Sequence, residues 1–148
     1  MTSSPASPAL VLRNRQRSVA FQTPWIRRVV IAALPDCLAA AHSRSPLRHL
    51  TTIEATLISD PAIATIHDSF FQDPTPTDVI TFDHGEILLG AGTIAAQAPD
   101  FSHTSTEEAA LCLIHGILHL GGWKDQSKKE ARVMAAEQRR IFRIAANR

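Results

Sequence analysis

The 148-residue chain contains two cysteines, Cys37 and Cys112. Two thiols do not make a disulfide framework, and each sits in an apolar, helix-patterned stretch, so both read as reduced core residues. No apolar run approaches the ~18–20 residues that a membrane span needs. The opening MTSSPASPAL lacks a basic segment leading into an apolar one, so it does not read as a secretory signal. Residues 1–8 read instead as a disordered lead, and the cytoplasm is the expected location. There is no internal repeat. A hydrophobic content of 45% with 20% charged residues fits a single globular domain over residues 9–148.

Basic charge is also missing from the middle of the chain. Between His49 and Trp123 there are ten Asp or Glu and no Lys or Arg. Residues 1–48 carry a net +6 and residues 124–148 a net +5, so the overall +1 hides a strong segregation. An acidic middle between basic ends fits a cation site with phosphate-binding margins. Solvated charges on outer helix faces produce the same pattern, so charge alone does not choose between them.

What is present reads as alternating elements. ALVLRNRQRS (9–18) has strand-like content. Residues 23–41 have helical content from Trp25 onward, with Thr23 as N-cap, Pro24 at the first helical position and Pro35 expected to end or kink the helix. LTTIEATLIS (50–59) is a β-branched strand, and Asp60 is expected to cap a helix over 61–71. DVITF (78–82) and EILLG (86–90) flank a tight turn and pair as a hairpin. GTIAAQA is a short helical piece. A helix follows with Thr104–Glu107 or Ser105–Glu108 at capping-box spacing, and a last one starts at Ser127 with Glu130 three residues on. The order β-α-β-α-β-β-(α)-α-α predicts an α+β fold: a mixed sheet of about four strands packed with helices.

The chemistry concentrates in HGILHLGGWKD (115–125). His115 and His119 share one helix face, with Cβ atoms roughly 5–6 Å apart. At that separation both imidazoles can reach one ion at about 2.0–2.1 Å. Gly121 and Gly122 stop the helix, and the turn can swing Asp125 back as a third ligand. A lone His pair is as often a hydrogen-bonded core feature; the carboxylate after a glycine break is what points to metal, zinc above all.

Three blocks then make the chain resemble the YbeY family, metal-dependent bacterial endoribonucleases linked to maturation of small-subunit ribosomal RNA. PTDVITF (76–82) is close to the family's Pro-Thr-Asp-Val-Leu-Ser-Phe. GEILL (85–89) with AAQA (95–98) is similar to its Gly-Asp-Ile strand and following Gln-Ala. HGILHLGGWKD matches its His-Gly-x-Leu-His-Leu-x-Gly-aromatic core. The likeness covers roughly residues 9–146. It implies one zinc ion per chain on His115, His119 and Asp125. It also implies a single-strand-specific endoribonuclease active in late-stage ribosome quality control and in maturing the 3′ end of 16S rRNA. The implied partners are the 16S rRNA precursor, the small ribosomal subunit and ribosome-associated proteins.

Two positions depart from the commonest family form. That form ends its metal motif in Asp-His, whereas this chain has Lys124 and Asp125, which resembles a Lys-Asp variant. The family's arginine ahead of the first block falls, counting back from Pro76, on Phe71. Another cation must then meet the phosphate; Lys124 and Arg132 are nearest to the motif in sequence. Arg139, Arg140 and Arg143 of the basic tail are further expected RNA contacts.

Three functions compete. In a nuclease the ion polarises a phosphoryl oxygen and activates water. A zinc peptidase needs a glutamate general base directly after the first histidine, where this chain has Gly116. In a non-catalytic ribosome-binding or RNA-binding module, the ion would only staple the last two helices. Asp78 or Glu86 can supply an acid or base, although Asp78 also suits capping of the turn before its strand.

Overall fold

A computed structural model describes residues 6–148. The expected disordered lead therefore lies largely outside the described residues; residues 6–8 have no regular structure. The elements are β1 (Ala9–Asn14), α1 (Thr23–Ala40), β2 (Thr52–Ile58), α2 (Asp60–Phe71), β3 (Val79–Thr81), β4 (Glu86–Gly90), α3 (Ala91–Gln97), α4 (Ser105–Leu120) and α5 (Lys128–Ala146). Single 3-10 turns at Pro46–His49 and Ala98–Phe101 join them.

The four strands form one mixed sheet in the order β1-β2-β4-β3. β1 and β4 run parallel to β2, while β3 returns antiparallel to β4 as the expected hairpin. Side chains alternate across the pleat. Ile53, Ala55, Leu57, Ile87 and Leu89 enter the main core with α1, α4 and α5. Ile80 and Leu88 face the other way and meet Ile58 and Ile63 under α2. The α+β expectation holds. Among the described residues no helix is long and apolar enough to cross a membrane.

Local expectations needed three corrections. α1 continues through Pro35. Pro35 and Ile31 are exposed, so the carbonyl that loses its partner faces water. Val29, Val30, Ala33, Leu34, Cys37 and Leu38, on both sides of it, stay packed in the core, so the helix does not end there. α1 also starts one residue earlier, with Gln22 rather than Thr23 at the cap. In α2 the cap is Ser59, which accepts from the Ala62 N–H at 3.3 Å. Asp60 is spent elsewhere, accepting from Thr93 N at 3.0 Å and Thr93 Oγ1 at 3.1 Å. That ties α2 to α3, a link between elements that local patterning does not show.

Candidate metal centre

α4 carries the two histidines, both half-buried, to the wall of an open cleft. Its start is the Thr104–Glu107 capping box: Thr104 Oγ1 accepts from Glu107 N at 3.1 Å, and Glu107 Oε1 accepts from Thr104 N at 2.9 Å. Eleven of its residues are buried between the sheet, α1 and α5. Gly116 is one of them. A Cβ there would lie 2.9 Å from Thr81 Oγ1 and 3.2 Å from Ile87, so only glycine lets α4 approach the sheet this closely.

The turn after α4 is fastened to the end of α1. His42 N donates to Gly121 O at 2.8 Å, and Trp123 Nε1 donates to Ala40 O at 2.9 Å. Gly122 takes φ +92°, the left-handed step expected of this glycine pair. Gly121 has an ordinary φ of −80°. The reversal leaves the Trp123 carbonyl and the Asp125 carboxylate facing the histidines.

His115, His119 and Asp125 present ligand atoms that all lie within 4.8 Å of one another. The two Nε2 atoms are 3.0 Å apart, and Asp125 Oδ2 is 3.6 Å from the first and 3.4 Å from the second. A tetrahedral ion with bonds of about 2.0–2.1 Å separates its donors by about 3.3–3.4 Å, so the spacing fits. The proton positions fit as well. His119 Nδ1 is 2.9 Å from Trp123 O and His115 Nδ1 is 2.6 Å from Gln138 Oε1. Both oxygens accept only, so each neutral ring holds its proton on Nδ1 and turns the Nε2 lone pair inward. Two lone pairs and a carboxylate converging on one point repel each other unless a cation lies between them. Burial, opposed by the Gln138 hydrogen bond, holds the His115 imidazole below its ordinary pKa.

Two clefts meet at these residues. The first, about 640 Å³, is lined by His67, Phe71, Thr81 and Asp83 among others; the second, about 420 Å³, by Gln97, Phe101, His103, Glu108, Gln138 and Arg139 among others. Asp78, His115 and Asp125 line both. Asp78 belongs to a polar cluster: Gln97 Nε2 donates to Asp78 Oδ2 at 3.0 Å and to Glu108 Oε2 at 2.8 Å. The buried Cys112 thiol beside them has its pKa pushed well up, by desolvation first and then by the carboxylates of Asp78 and Glu108. It is a protonated core thiol, neither a ligand nor a nucleophile. Cys37, raised to about 12 mainly by burial, is the same.

The other expected residues fall elsewhere. Lys124 lines a separate cleft of about 590 Å³ with His42, Trp123 and Lys129. Arg132 is exposed on α5 and lines neither cleft bordered by the triad. Glu86 pairs with His84 at 3.6 Å and lines a further cleft with His49 and Glu54. Of the tail arginines, Arg139 does reach the second cleft, while Arg140 pairs with Glu137. Gln138 carried no expectation; Gln97 stood in the AAQA block without a site role, and Glu108 was expected only as a capping-box residue. The stripe Ala131, Ala135, Gln138, Arg139 has helical spacing and was the available signal for the first of these. Which helix that stripe would meet is not a local property.

The family sequence model described as Endoribonuclease YbeY matches residues 12–146. The chain belongs to the YbeY family. Among curated relatives, the Endoribonuclease YbeY of Petrotoga mobilis is 34% identical over 94 residues, 58% of this chain and 66% of that protein. The Endoribonuclease YbeY of Chlamydia trachomatis is 26% identical over 151 aligned positions, 90% of this chain and 85% of its own. A solution structure from Thermotoga maritima superposes with a TM-score of 0.62 at 20% identity, covering 92% of this chain and 88% of the other. That likeness shows a shared fold.

Proposed function

We propose that residues 9–148 form one YbeY-type domain acting as a metal-dependent, single-strand-specific endoribonuclease. The proposed substrate is the 16S rRNA precursor, acted on in the cytoplasm at its 3′ end during late small-subunit maturation and quality control. One zinc ion per chain is held by His115, His119 and Asp125, in a Lys-Asp variant of the family motif. The observation that carries this reading is the convergence of two imidazole Nε2 atoms and a carboxylate at residues that border two open clefts. Family membership and the basic chain ends support RNA as the partner.

When bound, the zinc ion supplies Lewis acidity toward a phosphodiester oxygen and toward water. The chain's residues do the rest. Gln138 and the Trp123 carbonyl fix the imidazole tautomers. Asp78, at the border of both clefts, offers a carboxylate that can take a proton, with Gln97 holding its orientation. Arg139 at the second cleft is placed to meet backbone phosphate. Lys124 and Arg132 remain candidates only for outer contacts with RNA.

A peptidase is disfavoured by packing as well as by sequence. The position after the first histidine faces Thr81 and Ile87, where no glutamate fits without displacement. A non-catalytic RNA-binding module is favoured by one observation: the first cleft is lined by no Lys or Arg, and Phe71 stands in it instead. The deciding experiment is metal analysis of the purified protein with RNA cleavage assayed with and without chelator. Chelator-sensitive cleavage of single-stranded RNA supports the enzyme; stoichiometric zinc without cleavage supports the binding module.

A further inference from the structure

An exposed phenylalanine stands on each side of the metal triad, and the two are built alike. Phe71, 53% exposed, ends α2 in the first cleft; Phe101, 60% exposed, ends the 3-10 turn Ala98–Phe101 in the second. Each is followed by a residue in the left-handed region, Gln72 at φ 53° and Ser102 at φ 59°, so the chain turns away directly behind the ring. Each ring has a histidine beside it. His67 lies 5.7 Å from Phe71 at 56°, and His103 lies 6.4 Å from Phe101 at 29°. Both histidines are held from behind: His67 Nδ1 by Thr75 O at 2.8 Å, and His103 Nδ1 by Glu108 Oε1 at 2.9 Å. Glu108 is only 3% exposed, so the second support is anchored inside the protein.

We infer that Phe71 and Phe101 are base-stacking platforms that receive the nucleobases on either side of the phosphate at the metal centre. The inference rests on the RNA reading above and deepens it. Exposed aromatic faces along a groove are how proteins hold single strands, because every base has a π-face to stack. Asp78, His115 and Asp125 line both clefts, so a strand laid over the triad can turn one base into each. Bases stacked and paired within a duplex cannot turn out in this way, which supplies the single-strand preference without reading sequence. Phe71 then has a task of its own in the cleft, and the cation contact falls to Arg139 on the other side.

The test measures binding apart from turnover. Fluorescence anisotropy with full-length protein in chelator compares a short single-stranded oligoadenylate with an abasic oligomer of the same length. The wild type should prefer the base-bearing probe. Phe71→Ala and Phe101→Ala should each weaken oligoadenylate binding by about 5- to 150-fold while leaving abasic binding unchanged. Phe71→Trp and Phe101→Trp should restore it. Equal wild-type affinity for the two probes overturns the inference, as does an undiminished preference in both alanine variants. Loss in only one variant overturns the two-sided arrangement. Base preference without RNA cleavage by zinc-loaded protein would defeat the enzyme reading and leave the platforms standing. Cleavage without base preference does the reverse.

Discussion

Gln138 on α5 accepts a 2.6 Å hydrogen bond from His115 on α4, joining the two C-terminal helices at the metal triad. The bond fixes which nitrogen of His115 faces the ion, so a residue that touches no metal sets the lone pair that would. Gln138→Leu keeps the volume and removes the acceptor. Zinc affinity should fall by about 10- to 100-fold, read by competition with a chromophoric chelator. Unchanged affinity would show that packing alone orients the ring.

Asp125 is the third member of the triad and the most exposed of the three. Asp125→Ala leaves two imidazoles, and zinc content after dialysis should drop well below one per chain. Asp125→His should retain the metal, because imidazole is an equally good zinc ligand. Full occupancy in Asp125→Ala would remove Asp125 from the site.

Gly116 faces the sheet, with Thr81 Oγ1 2.9 Å and Ile87 3.2 Å from where a Cβ would stand. Gly116→Ala should destabilise the fold by about 1–3 kcal/mol through overpacking, measured by urea unfolding. Gly116→Glu should be worse still and should show no peptide hydrolysis. A stable, proteolytic Gly116→Glu would mean that the position points into the active cleft instead.

The His115 imidazole has its pKa lowered from 6.5, burial being the largest cause. At acidic pH the unfolded chain therefore binds a proton there more readily than the folded one. The sign follows: stability from this group is complete above the unfolded value and is lost as pH falls through the folded one. Metal-free protein should melt at lower temperature as pH drops below about 6.5, and His115→Asn should shallow that decline. Parallel melting curves for the two proteins across this window would show that His115 contributes nothing to it.

The basic C-terminal segment predicts salt-sensitive RNA binding. Changing Arg139, Arg140 and Arg143 together to Gln should reduce the slope of log affinity against log salt, by somewhat less than one unit for each RNA phosphate that is no longer neutralised. Because Arg140 already pairs with Glu137 and Arg139 lines the second cleft, Arg139→Gln alone should carry more of the effect than Arg140→Gln. Filter binding across a salt series measures both.

Much of this protein is determined within a few residues of chain. The Thr104 and Ser127 capping boxes, the 79–90 hairpin, the four-residue spacing of His115 and His119 and the glycine break before Asp125 are all local arrangements. Hydrogen bonds and side-chain periodicity over one or two turns decide them, and sequence patterning reads those directly. Packing between distant elements decided the rest. Burial on both sides of Pro35 kept α1 whole, and Thr93 took Asp60 from its helix while Ser59 capped it. Lys124, the neighbour of a candidate ligand in sequence, went to a different cleft because the Gly121–Gly122 turn is fastened to α1. Gln138, Gln97 and Glu108 reached the site, and Phe71 and Phe101 came to flank it, only when the sheet and helices closed. Such contacts depend on which surfaces bury the most apolar area together, a property of the whole chain that no short stretch of it contains.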